Sequence, residues 1–154
     1  MFHVVLFEPE IPPNTGNAIR LCANAGATLH LVKPLGFRLD DRSLRRSALD
    51  YHDLAAVRVH ADLDACRRAL PQARWFAIET GGERRYCEPT LRPGDAFLFG
   101  SETRGLPAEV RASFAPEALL HIPMRPANRS LNLANAVAIV VFEAWRQADF
   151  AGAP

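Results

Sequence analysis

The sequence predicts an α/β domain in which a mostly parallel sheet carries helices on both faces. Three observations lead there. Short apolar runs rich in Val, Leu, Ile and Phe alternate with segments of helical period along the chain. The 154 residues, 49% hydrophobic and 23% charged, suit one globular domain and exclude a disordered or fibrous chain. No internal repeat, low-complexity segment or linker divides residues 1–154.

The first apolar run, His3–Phe7, is bounded by Glu8 and Pro9 and reads as a buried strand. The loop EPEIPPNTG follows, stiffened by its prolines, and Asn14 or Thr15 offers an N-cap for a helix from about Gly16 to Ala25 that Gly26 stops. Next come a strand at Thr28–Val32, a helix around Ser43 to Leu49, a short strand at Val57–His60 and a helix from Leu63 to Leu70. Trp75–Ile78 and Ala96–Phe99 are strands. Pro107 suits the first turn of a short helix, and a strand from Leu119 to Ile122 ends at Pro123. The last element is a helix from about Ser130 to Gln147, apolar on nearly every side between Leu133 and Phe142 and so expected to pack on several faces.

Composition excludes several classes of function. Cys22, Cys66 and Cys87 are odd in number, form no C-x-x-C pair and have no His at zinc-ligand spacing, which predicts reduced thiols and no metal site. The start lacks a basic segment followed by a long apolar one, and the run Ala134 to Val141 is too short to span a bilayer. A soluble cytoplasmic protein is expected. The net charge of +1 does not mark a bulk nucleic-acid binder. However, Lys33 is the only lysine among 18 basic residues, and arginine presents a planar fork suited to phosphate. A compositional bias explains that ratio equally well. Arg38, Arg42, Arg45 and Arg46 cluster, tempered by Asp40 and Asp41, and Arg84 and Arg85 form a second pair. Such clusters are solvated faces or RNA contacts.

In a fold of this class ligands bind at the carboxyl ends of strands, and three strand-end loops hold polar residues that folding alone does not require. The first is NTGNAIR, where Asn17 and Arg20 share a helical face that Asn24 continues. The plainer reading is an exposed face with Arg20 paired to a carboxylate. The second is FGSETRGL, where Gly100 and Gly105 flank Ser101, Glu102, Thr103 and Arg104. It is neither a Walker loop nor G-x-G-x-x-G, though its backbone amides can still hold a nucleotide. The third is IPMRPANRSLNLANA, where Arg125 and Arg129 suit an anion, Ser130 is a ready N-cap, and Asn132 and Asn135 lie three apart on an apolar helix. Buried Asn side chains need hydrogen-bond partners, so the pair implies a polar network or a ligand. No Ser-His-acid pattern or metal-ligand cluster appears, and His3, His30, His52, His60 and His121 lie in or beside predicted strands and loops where structural roles are expected.

These three loops, in this order, resemble the three motifs of the SPOUT superfamily of RNA methyltransferases, and the likeness covers essentially the whole chain. It extends through VVLFEPEIPPNTGNAIRLCANAG at the start and VVFEAWRQ at the end, where the sequence is similar to the bacterial enzymes that methylate the wobble ribose of leucine tRNAs. The resemblance implies an α/β knot with a C-terminal trefoil, a homodimer, S-adenosylmethionine as cofactor, and the anticodon stem-loop of tRNA as partner. On these residues it implies cofactor contacts at Ile78, Gly100, Glu102, Ile122, Ser130 and Leu131, largely through main-chain atoms, and catalytic groups at Asn17, Arg20 and Asn135. Relatives commonly have Tyr where this chain has Phe142, so that hydroxyl is missing here. Arg38, Arg42, Arg45 and Arg46 of one subunit are expected to hold RNA near the other subunit's cofactor. Guanidinium stays protonated, so Arg20 is expected to stabilise a developing alkoxide or grip a phosphate rather than act as a base. A different tRNA or ribosomal RNA ribose, or a non-catalytic RNA-binding module, remains the alternative.

Overall fold

The computed structural model describes residues 1–40, 42 and 56–154. The helix expected around Ser43 to Leu49 lies outside the described residues, as do Arg45 and Arg46. Seven strands form one sheet: β1 His3–Phe7, β2 Thr28–Val32, β3 Val57–His60, β4 Trp75–Ile78, β5 Arg84–Arg85, β6 Ala96–Phe99 and β7 Leu119–His121. Their order is β3-β2-β1-β6-β4-β7-β5 and every pairing is parallel. Among the described residues four α-helices accompany them: α1 Pro12–Ala25, α2 Leu63–Ala69, α3 Ala108–Ala112 and α4 Leu133–Gln147.

Period-two alternation sends neighbouring strand residues into two cores. Val4, Leu6, Leu29, Leu31, Phe97 and Phe99 face α1 and α4, where they meet Ala18, Ile19, Cys22, Val137, Val140 and Val141. Val5, Phe7, Val32, Ala96 and Leu98 face the other way, toward Leu63 and Cys66 of α2. Each wholly buried aliphatic or aromatic side chain in these layers contributes about 1.5–3 kcal/mol, so the central strands are fixed from both sides. Asp95, just before β6, is buried and accepts two hydrogen bonds from Arg74, at 2.8 and 2.7 Å, and a third from the Arg92 amide.

β7 lies between β4 and β5, yet only residues 79–83 join those two strands. Ile78 and Arg84 both pair with Leu120, so the connection must cross one face of β7 at that level. Gly82 makes the crossing: a Cβ there would sit 2.5 Å from the Leu120 carbonyl carbon. This threaded crossing belongs to an α/β knot, one of the rare exceptions to unthreaded connection. It also gathers the ends of β4, β6 and β7 at one edge.

Several boundaries differ from the expectations. α1 starts at Pro12, with Ile11 in the N-cap position and no side-chain cap. Two prolines tolerate the first turn because its amides lack intrahelical partners anyway, and Asn14 and Thr15 become interior residues. Gly26, at φ +66°, ends the helix as expected. α4 starts at Leu133, because Asn132 rather than Ser130 caps it. Its buried residues keep to one side, and Phe142 is 44% exposed, so packing on several faces is not seen within one chain. β7 stops at His121, and β5, a two-residue strand of arginines, was not expected.

Candidate active site

A cleft of about 680 Å³ opens at the carboxyl ends of β4, β6 and β7. Such a volume lies within the usual range for small-molecule sites. All six residues expected at a cofactor line it: Ile78, Gly100, Glu102, Ile122, Ser130 and Leu131. Ile78 ends β4 and Gly100 directly follows β6, whereas Ile122, Ser130 and Leu131 belong to the loop between β7 and α4.

The cleft is built largely from backbone. A Cβ on Gly100 would collide with the backbone of Gly105, so the two ends of the turn can close only on glycine. Gly105 has φ +66°, and its amide donates to the Ser101 carbonyl at 2.9 Å. Opposite, Glu79 follows β4, and its carboxylate accepts from the Leu106 amide at 3.2 Å and faces Arg111 at 3.6 Å. Glu79 was missed in the sequence reading. An acidic residue placed immediately after a buried strand was the available signal.

Glu102 locks the three loops together. Its carboxylate accepts from the Glu10 amide at 2.7 Å, the Ile11 amide at 3.0 Å and the Asn14 side-chain amide at 3.2 Å. Anionic acceptors are strong partners for amides at a helix start. Asn14 in turn accepts from Asn132 at 2.9 Å, and the Asn132 oxygen caps α4 through the amides of Ala134 and Asn135. Asn14 is buried, and both of its amide atoms are satisfied here. Beside this chain the Thr103 hydroxyl donates to Glu10 at 2.8–2.9 Å. That bond, with Ser101 and Arg104, holds the Glu10 carboxyl below the usual carboxylate range. Arg104 also reaches Glu8, whose φ of +48° places strain at the start of the first loop.

The residues expected to be catalytic are not in this cleft. Asn17 and Arg20 are exposed on the outer face of α1, with Asn24 on the same side. Asn135 is exposed too, so the polar network inferred for the pair runs through Asn132 alone. Arg38 is exposed and holds Asp40 at 3.1 Å, and Arg42 is exposed. Among the described residues no helix is long and apolar enough to cross a membrane.

A wholly parallel sheet with a threaded crossing and a cleft at that crossing has the arrangement of an α/β-knot domain. Comparison with known proteins agrees. Residues 1–142 match the model of the SpoU rRNA Methylase family, and the chain belongs to that family. It is 60% identical over 154 residues to a tRNA (cytidine(34)-2'-O)-methyltransferase from Burkholderia pseudomallei, covering 99% of each chain. A solved structure concerned with 2-OH methylation of C/U34 on tRNA superposes with a TM-score of 0.91 at 47% identity, covering 97% of each chain. An AdoMet-bound rRNA methyltransferase from Sinorhizobium meliloti superposes at 0.80 with 27% identity, over 94% of this chain and 56% of that one.

Proposed function

We propose that this protein is a 2′-O-methyltransferase that uses S-adenosylmethionine to modify the ribose of nucleotide 34 in tRNA, with leucine tRNAs as its substrates, and that it works as a cytoplasmic homodimer. The observation that carries the reading is the cleft, which holds every residue expected at the cofactor on a frame of mutually bonded loops. Its lining fits an amphiphilic ligand. Ile78, Ile122, Leu131, Leu133 and Ala136 give apolar walls for a purine, while Glu79, Arg111 and Arg129 supply charge at the margins. The full-length likeness to enzymes of position 34 supports the substrate.

Bound in the cleft, the cofactor supplies a sulfonium methyl for in-line transfer to the 2′-hydroxyl. This chain's task is alignment and charge stabilisation. Main-chain groups at Ile78, Gly100, Ile122, Ser130 and Leu131 hold the ligand, and Glu102 keeps their loops in register. Arg20 stabilises the developing alkoxide or the neighbouring phosphate, and another acceptor or water takes the hydroxyl proton. Because Arg20 is exposed and does not line the cleft of its own chain, it acts on the cleft of a second copy. The outer side of α1 and α4, which carries Asn17, Arg20, Asn135 and the exposed Phe142, is the surface proposed to meet that copy. Arg38, Arg42, Arg45 and Arg46 then add RNA contacts beside the composite site.

The test is incubation of the purified protein with labelled S-adenosylmethionine and total tRNA from a strain lacking the gene, followed by mapping of the modified nucleotide. Label on the ribose of nucleotide 34 in leucine tRNAs is expected. Cofactor binding without transfer to any tRNA would overturn the substrate assignment.

A further inference from the structure

The opposite core contains a row of imidazoles that methyl transfer leaves unused. His3 on β1, His30 on β2 and His60 on β3 follow one another across the sheet. The Nδ1 of His3 is 3.2 Å from the Nε2 of His30, and the Nδ1 of His30 is 2.9 Å from the Nε2 of His60. In register, His30 is beside Val5 and His60 beside Val32, both in the core that α2 covers. From that helix Cys66 joins the row. His30 and Cys66 are wholly buried, and one ligand atom from each of His30, His60 and Cys66 lies within 4.8 Å of the other two.

We propose that His30, His60 and Cys66 form a binding site for a single thiophilic divalent cation of the Zn²⁺ class. Tetrahedral zinc, with bonds of about 2.0–2.1 Å to nitrogen and about 2.3 Å to sulfur, holds such ligand atoms roughly 3.3–3.6 Å apart. The trio therefore reaches this geometry by adjustments on the order of 1 Å. Three protein ligands leave the fourth position to water.

The hydrogen-bonded row also orients its members for ligation. Ligating imidazoles are characteristically oriented through their second nitrogen. With His30 Nε2–H donating to His3 Nδ1, the lone pair of His30 Nδ1 is turned toward His60 and Cys66. Neutral imidazole is the coordinating form of histidine, and here His30 is wholly buried while His60 is half-buried. The Cys66 side chain is wholly buried beside them, and a cysteine binds metal as the thiolate. Binding must therefore release the thiol proton to solvent as the sulfur–metal bond forms. Spacing along the chain does not reveal this set, because His30 lies 30 residues from His60 and meets it only across adjacent strands.

The test uses the full chain, stripped of metal by chelation, in a Cys87→Ser background that removes the exposed thiol. Titration with Co²⁺ should give a thiolate-to-metal charge-transfer band and intense tetrahedral d–d bands, saturating at one equivalent and abolished by one equivalent of Zn²⁺. Zinc calorimetry in buffers of different ionisation enthalpy should show proton release. His60→Gln, at a half-buried position where the fold tolerates change, should weaken Zn²⁺ binding by roughly tenfold or more, and Cys66→Ala should remove the charge-transfer band. Absence of that band, or its persistence in folded Cys66→Ala, would overturn the site. Should Cys66→Ala not fold, unchanged zinc affinity in His60→Gln would overturn it alone. None of these readouts involves methyl transfer, so the two proposals stand or fall separately.

Discussion

The cleft at the ends of β4, β6 and β7 and the outer face of α1 and α4 were expected to form one site, yet the fold treats them differently. In the cleft, loops far apart in sequence are joined through Glu102, Asn14 and Asn132, and Gly100 and Gly105 let one of those loops close tightly on itself. On the outer face Asn17, Arg20 and Asn135 stand exposed. The first region is held by hydrogen bonds within one chain, which fixes the shape of its cleft before anything binds. The second holds charge and amide groups without a cavity to act in. The difference teaches that the cleft and the polar outer face are built on separate surfaces of one chain, and the proposed second copy is what would bring them together.

The most severe way to break this comparison is Gly100→Ala. Backbone meets backbone at that point, so neither side yields cheaply, and a loss of about 3 kcal/mol or more in denaturant unfolding is expected together with loss of cofactor binding. Retained stability and binding would show that the turn's closeness does not build the cleft. The next largest effect is expected at Arg20, where Ala should lower methyl transfer by roughly 10²–10³ while leaving cofactor affinity and Tm unchanged. Arg20→Lys should recover only part of the rate, because a point charge lacks the guanidinium fork. Co-expression with a second inactive variant, Leu131→Arg, whose side chain would fill the cleft, sharpens the point. Random pairing leaves about a quarter of all sites with both a working Arg20 and a working cleft if they come from different subunits. No recovered activity would place the site within a single chain.

How much of this was legible depended on where the parts lie in the sequence. Parallel strands buried on both faces leave continuous apolar runs, so β1, β2, β4 and β6 could be found with their observed boundaries. The three loops were legible because each is contiguous and unusually polar for its position. The capping residues were misassigned, since Asn14 and Ser130 satisfy local rules as well as the true partners do. What decided between candidates was Glu102, 88 residues from Asn14, which takes the amides at the start of α1 and leaves that helix without a side-chain cap of its own. β5 was invisible because two arginines carry no apolar signal, and the threading of β7 follows from its neighbours rather than from its own residues. The histidine row was hidden for the same reason: its members come from three strands, and spacing along the chain says nothing about adjacency across a sheet.

Smaller effects distinguish residues that look alike in the sequence. Glu102→Gln keeps the size of the side chain but replaces one acceptor with an amide facing a backbone N–H. A loss of about 1–3 kcal/mol in unfolding and weaker cofactor binding are expected, because a donor near the start of α1 loses its partner. A loss near zero would mean that packing, not the carboxylate, joins the loops.

The mildest and most discriminating comparison is between Asn132 and Asn135, three residues apart. Asn132→Ala removes the cap of α4, at a cost of about 0.5–2 kcal/mol, and leaves the buried Asn14 oxygen without its donor. Asn135→Ala removes an exposed side chain from the first turn of α4, where Ala is the better helix former, so unfolding free energy should stay level or rise by a few tenths of a kcal/mol. Urea unfolding of the two variants at low protein concentration separates them. If Asn135→Ala proves the more destabilising, its side chain is engaged in a contact the single chain does not contain, and the outer face contributes to stability as well as to chemistry. If it is neutral for folding yet lowers methyl transfer, the division of labour between cleft and outer face holds at the level of two neighbouring asparagines.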